Sequence, residues 1–109
     1  MHELAIMGRV VADLRKRVDP ARVSCVRLQI GQLAGVLPET IRFCFVLCTR
    51  GTPLDGARLE IDEVCGRGRC RRCGAEILME TDGDPCRCGS LDIDVLGGQE
   101  LRVQTVEVH

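Results

Sequence analysis

Between residues 65 and 89 the chain carries Cys65, Cys70, Cys73, Cys86 and Cys88, five of its eight cysteines, and little that could build an apolar core. Burial alone cannot hold such a segment folded, because too little apolar surface leaves water. It needs an outside staple. Cys70-Arg71-Arg72-Cys73 and Cys86-Arg87-Cys88 stand twelve residues apart. Two short-spaced thiolate pairs of this kind converge on one tetrahedral Zn²⁺ at Zn–S distances of about 2.3 Å, each pair presented from a tight turn. Gly74 and Gly89 follow the pairs where the backbone has to bend back. Four thiolates leave no open position for water, so the predicted zinc site is structural. In small zinc peptides such binding supplies about 10–16 kcal/mol of apparent folding energy. The second pair is C-x-C instead of C-x-x-C, and Cys65 is an alternative to Cys86 as the fourth ligand. A redox dithiol at Cys70 and Cys73 would need a thioredoxin-like setting, which the pattern lacks.

Thiolates paired on a metal imply a reducing compartment, since eight cysteines in a secreted chain would instead read as disulfides. The opening MHELAIMGRVVADLRKR has an acid at position 3 and no uninterrupted apolar stretch, unlike a secretory signal. No segment approaches the roughly 20 apolar residues that span a bilayer. The chain therefore reads as cytoplasmic, without a membrane partner. With 109 residues it makes one compact domain, or a domain with a satellite. Trp and Tyr are absent, and Phe43 and Phe45 are the sole aromatics, so Leu, Val, Ile and Cys must form the core.

Apolar periodicity sets the frame. Leu4, Met7, Val11, Leu14 and Val18 recur at steps of three and four, which predicts an amphipathic helix ended by Asp19-Pro20. Residues 23–30 alternate as a strand with Val26, Leu28 and Ile30 on one face; Cys25 falls on the other, away from the main core. Pro38 suits the first position of a second helix, with Leu37, Ile41, Cys44 or Phe45, and Cys48 as its stripe. Cys44 and Cys48 lie one turn apart, and packing is the simpler role for them than chelation. Further strands are predicted at residues 58–64, 91–96 and 100–108, the last with a change of phase near Thr105 that suggests a bulge. The fold class that follows is α+β: two helices packed on a small mixed β-sheet, with an inserted zinc-ribbon-like lobe. Residues 1–64 and 97–109 form an α/β domain, into which 65–96 are inserted as a zinc-binding domain.

Met1-His2-Glu3 offers different chemistry. Divalent nickel favours square-planar nitrogen ligation. A Met-His start supplies the terminal amine, the His2 backbone nitrogen and the His2 imidazole in adjacent small chelate rings. Glu3 adds its backbone nitrogen or its carboxylate. The amine, with an ordinary pKa of about 8, must first lose its proton, so affinity rises with pH. The competing reading makes His2 a solvated terminal residue and Glu3 an acid favoured by the helix macrodipole.

MHEL opening a helix, VRLQIGQLAGVLPE at residues 26–39, C-x-x-C-G at 70–74, C-G-S at 88–90 and ELRV at 100–103 together resemble the HypA/HybF nickel-insertion proteins. The likeness runs in order through the whole chain. It implies a cytoplasmic nickel metallochaperone, not an enzyme, which serves maturation of nickel-iron hydrogenases. It further implies partnership with the GTPase HypB and the hydrogenase large subunit, with self-association a further option. By resemblance nickel binds at His2 with Met1 and Glu3 adjoining, and zinc binds at Cys70, Cys73 and Cys88. Cys86 departs from the family's C-P-x-C-G-S spacing by one residue.

Two rivals come from other classes. A nucleic-acid-binding zinc ribbon would use Arg67, Arg69, Arg71, Arg72 and Arg87. Glu76, Glu80, Asp82 and Asp84 nearly cancel them, however, and the segment has no aromatic for stacking. The 15 basic and 16 acidic residues of the chain also argue against a polyanion partner. A thiol oxidoreductase would turn over disulfides, which a zinc-filled tetrathiolate does not.

Overall fold

The computed structural model describes residues 2–109. In chain order the elements are α1 (His2–Val18), β1 (Val23–Gly31), a 3₁₀ turn (Gln32–Ala34), α2 (Pro38–Thr49), β2 (Arg58–Val64), β3 (Gly66–Cys70), β4 (Glu76–Met79), β5 (Ile93–Gly97) and β6 (Leu101–Val108). They form two three-stranded sheets, ordered β2-β1-β6 and β4-β3-β5. The class is α+β, as the periodicity predicts. By compactness the chain divides into two units: residues 2–28, 36–61 and 103–109, and residues 29–35 and 62–102.

In the first unit α1 and α2 pack together. The α1 stripe buries Met7, Val11 and Leu14. The α2 stripe begins a turn later than expected, with Ile41, Cys44, Phe45 and Thr49 buried. Leu37 is 65% exposed, because it is the N-cap residue, whose extended backbone turns its side chain off the helical face. Thr49 is tolerated inside because its hydroxyl donates to the Phe45 carbonyl at 2.8 Å. Gly8, on α1, has open space where a Cβ would stand. Gly8→Ala should therefore stabilise the chain by about 0.5–1 kcal/mol through helix propensity alone. Urea titration checks this, and a loss of stability would mean that the helix face at Gly8 is not free.

Strands β1 and β2 run in step. Val23 donates to the Pro53 carbonyl just ahead of β2, and the Arg27 guanidinium lies 2.7 Å from the Glu60 carboxylate. This is the parallel pairing that a strand–helix–strand unit makes. Strand β6 runs antiparallel beside β1. His109 donates to the Arg22 carbonyl at one end and Gly31 to the Glu100 carbonyl at the other. These pairs share one register, so the bulge expected near Thr105 is not there. An unbroken strand instead places Leu101 and Val103 on one face, and Val106 and Val108 on the other. That register sets Val106 opposite Cys25 and Val108 opposite Val23. Cys25 and Val23 are each only 3% exposed, although both point away from the Val26–Leu28 face. The phase change is thus a sheet with apolar residues on both faces.

The Arg27 hydrogen bond, and after it the nearby charges of Arg27 and Arg58, hold the Glu60 carboxyl below its ordinary value. A depressed carboxylate stabilises the fold above its unfolded pKa, and that contribution is lost as pH falls through the folded value. An NMR titration should place the Glu60 midpoint below 4.5 and return it toward 4.5 in Arg27→Ala. An unshifted midpoint in the unsubstituted chain would remove this ion pair from the sheet.

The second unit is built on β3, which pairs antiparallel with β4 and with β5; a register shift on the β5 side falls at Arg67/Gly68. Strands β3 and β4 lie inside the cysteine-rich segment, where composition gave no strand signal. Alternate β3 residues Gly66, Gly68 and Cys70 are buried, while Arg67 and Arg69 face outward. Met79 is fully buried on the β4 side.

Candidate metal centre

Each cysteine pair sits in a turn at the end of this sheet. After β3, Gly74 donates to the Cys70 carbonyl and Cys70 to the Ala75 carbonyl, both at 2.9 Å. The second turn repeats the pattern one residue shorter: Gly89 donates to the Cys86 carbonyl at 2.8 Å and Cys86 to the Ser90 carbonyl at 2.9 Å. Gly74 and Gly89 close these turns at φ values of +79° and +90°, a left-handed backbone that side-chain-bearing residues rarely adopt.

The turns bring Cys70, Cys73, Cys86 and Cys88 together, with all four sulfurs within 4.8 Å of one another. Cys70 Sγ lies 3.7 Å from Cys88 Sγ, and Cys73 Sγ lies 3.5 Å from Cys86 Sγ. A tetrahedron with Zn–S bonds of about 2.3 Å has edges of about 3.8 Å, so the cluster fits a structural zinc ion. Cys86 belongs to this group despite its tighter spacing. Cys65 does not: its thiol faces the Met79 carbonyl at 3.8 Å.

Backbone donors treat the sulfurs unequally. The Cys73 N–H points at Cys70 Sγ across 3.5 Å and, with the Arg72 N–H, holds the Cys70 thiol down to about 6. For Cys73 the Ala75 N–H pulls downward, but the neighbouring Cys86 thiol, desolvation and the other two cysteines outweigh it and push the group up to about 11. A cation that replaces these protons removes the conflict, since all four sulfurs then ligate as thiolates.

Two of the five arginines around the cluster, Arg71 and Arg67, are committed to protein carboxylates. Arg71 forms an ion pair with Asp94, with its Nε 2.7 Å from the carboxylate, and reaches Asp92 at 3.7 Å. Its backbone N–H donates to the Asp92 carbonyl, so Arg71 ties the first cysteine turn to the segment leading into β5. Arg67 pairs with Glu76 at 3.6 Å. Guanidiniums neutralised in this way make a poor phosphate footprint. Spacing showed the cysteines but not this clamp, because its carboxylates lie more than twenty residues downstream.

At the other candidate site, His2 is the exposed first described residue of α1, and Glu3 is half-buried in its first turn. The Glu3 carboxylate accepts the Leu37 N–H at 3.5 Å. Met1, the third member of that site, lies outside the described residues. Cys44 is buried in α2 and Cys48 half-buried; desolvation, then the nearby Cys44, pushes the Cys48 thiol up, as befits packing residues. No helix among the described residues is long and apolar enough to cross a membrane.

Residues 1–108 match the family described as hydrogenase/urease nickel incorporation, metallochaperone, HypA. A hydrogenase maturation factor HypA from Geotalea uraniireducens is 50% identical, with both chains covered in full. One from Nostoc punctiforme is 44% identical over all of this chain and 96% of the relative. Among solved structures, the nickel metallochaperone HypA from Helicobacter pylori superposes with a TM-score of 0.66 at 18% identity, over 97% of this chain and 96% of that one. A second HypA solution structure gives 0.61 at 16% identity, over 97% and 92%. With a family match along essentially its whole length and relatives of nearly the same length, the chain belongs to the HypA family of nickel-incorporation metallochaperones.

Proposed function

We propose that this chain is a carrier, not an enzyme: it holds Ni²⁺ as cargo at Met1, His2 and Glu3 and hands it over during nickel-iron hydrogenase maturation in the cytoplasm. Zinc bound by Cys70, Cys73, Cys86 and Cys88 serves structure. The whole-length match to the family carries this reading. In it, residues 1–64 and 97–109 act as the nickel-binding domain and residues 65–96 as the zinc-binding domain. The GTPase HypB and the hydrogenase large subunit are the partners.

The start of α1 suits such a cargo site. The first backbone N–H groups of a helix have no intrahelical acceptor, so the His2 and Glu3 nitrogens stand free of the hydrogen-bond ladder. The positive end of the macrodipole eases loss of the His2 amide proton. An amine, an amide nitrogen and an imidazole then close adjacent rings around a square-planar ion. The Glu3 carboxylate is engaged with Leu37, which favours its backbone nitrogen as the fourth ligand. Few ligands at an exposed position let a partner take the ion by stepwise exchange.

The test compares the chain starting at Met1, without a tag, with its His2→Ala variant. Nickel binding and its absorption should vanish in the variant, while zinc content and circular dichroism stay unchanged. Stoichiometric nickel binding by His2→Ala with the same spectrum would place the site elsewhere.

A further inference from the structure

Helix α2 carries two apolar faces. Ile41, Cys44 and Phe45 are buried on one. On the opposite side Phe43, Val46 and Leu47 are all exposed, Phe43 by 64% and Val46 by 54%. The outer face of a helix in a small domain is ordinarily polar, yet a chain with only two aromatic residues turns one of them to solvent here.

Charges bracket this stripe. Glu39 lies one turn before Phe43 and Arg50 one turn after Val46, both exposed. At 3.6 residues per turn, Glu39, Phe43, Val46 and Arg50 fall within about 60° of one another around the helix, with the two charges about 16 Å apart along it. Arg50 is the C-cap, but its φ of −56° is helical, so its side chain keeps to the stripe. Among the described residues neither charge enters an ion pair, whereas Arg42, on the flank of the same helix, donates to the Leu59 carbonyl at 2.7 Å. The macrodipole favours an acid at the start of a helix and a base at its end. It does not call for apolar side chains between them. From either end the stripe runs charge, apolar, apolar, opposite charge. Turned end for end about a two-fold axis through its midpoint, it meets itself: Glu39 faces Arg50 of a second copy, and Phe43 lies against the Val46 of that copy.

We propose that this face is an interface between two copies of the chain, in which the α2 helices pack antiparallel about a two-fold axis. Opposite ends of the two macrodipoles then meet as well. Contact removes Phe43, Val46 and Leu47 from water, and the charges set direction and register. A parallel pair would instead oppose Glu39 to Glu39 and Arg50 to Arg50. Two faces of a twelve-residue helix fall short of the roughly 1,200–2,000 Å² that stable interfaces bury, so the dimer forms reversibly, at protein concentrations of about 10–500 µM. The Glu3 carboxylate ties the start of α1 to the Leu37 N–H at the α2 cap. The antiparallel pair therefore sets the two chain starts at opposite ends.

Sedimentation equilibrium of the full zinc-loaded chain tests the pairing. Phe43→Ser, Glu39→Arg and Arg50→Glu each alter an exposed side chain, so circular dichroism should not move. Each should weaken association about tenfold or more. An equimolar mixture of Glu39→Arg and Arg50→Glu should associate again, because every end then meets its opposite. The double variant Glu39→Arg/Arg50→Glu should do so alone. An unsubstituted chain that stays monomeric at about 1 mM overturns the inference and leaves the face to another protein. A dimer that Phe43→Ser or the two charge reversals leave as tight as before has its interface elsewhere. Charge reversals that mixing does not rescue overturn the antiparallel arrangement.

Discussion

Removal of the metal by a strong chelator at neutral pH is expected to unfold the second unit while α1 and α2 remain folded. The sheet β4-β3-β5 has little apolar material to hold it. The buried side chains of this unit are Ile30, Leu33, Met79, Cys70 and Cys86, and the last two belong to the cysteine cluster. Metal binding on the scale of about 10–16 kcal/mol exceeds the few kcal/mol that so small a core supplies. The first unit has a separate core of Met7, Val11, Leu14, Val26, Leu28, Ile41 and Phe45, without a ligand in it. Amide hydrogen exchange reads the two units apart. The amides of Cys70, Gly74, Cys86 and Gly89, all hydrogen-bonded within the cysteine turns, should lose protection. Amides in the middle of α1 should keep theirs. Acidification should act in the same direction, because protons compete with zinc for all four sulfurs. Protected cysteine-turn amides in a demonstrably zinc-free chain would show that the ion is not the staple.

How far the sequence reveals this molecule depends on the range of the interaction involved. Periodicity reveals α1, because Met7, Val11 and Leu14 lie one helical turn apart and share one neighbour. Ligand spacing reveals the four cysteines, because tetrahedral zinc restricts which pairs close a turn. Strands β3 and β4 escape the same reading. Their buried positions, Gly66, Gly68 and Cys70, are small, so no apolar alternation marks them. Phase misleads at β6, where Val106 answers Cys25 across the sheet and no bulge is needed. Leu37 misleads too, since a helical stripe cannot say where the cap turns the chain. The Arg71–Asp94 clamp joins residues whose pairing only the folded register creates. Local chemistry is thus legible, whereas close approach between distant backbones is not.

The clearest such approach predicts a large loss of stability. In the second unit Gly31, Gly66 and Gly98 bring three chain segments into backbone contact. Gly31 donates to the Glu100 carbonyl and Leu33 to the Gly98 carbonyl, both at 2.8 Å. A Cβ on Gly31 would overlap the carbonyl carbon and oxygen of Gly98. One on Gly98 would lie 2.5 Å from the Gly66 Cα, and Gly98 also holds φ at +88°. Side chains give way by changing rotamer, but these neighbours are backbone, already fixed by the hydrogen bonds just named. Relief then requires the segments to separate and those bonds to break. Gly31→Ala should cost roughly 3–5 kcal/mol, in the range where single substitutions unfold small domains. Gly66→Ala should cost less, since the Leu33 side chain is one of its two neighbours and can turn aside. Gly83→Ala meets nothing within 4 Å and should stay within about 0.5 kcal/mol of the unsubstituted chain. Urea titration of the three zinc-loaded variants ranks them directly. If Gly31→Ala melted beside Gly83→Ala, the glycine contact would not be holding these segments together.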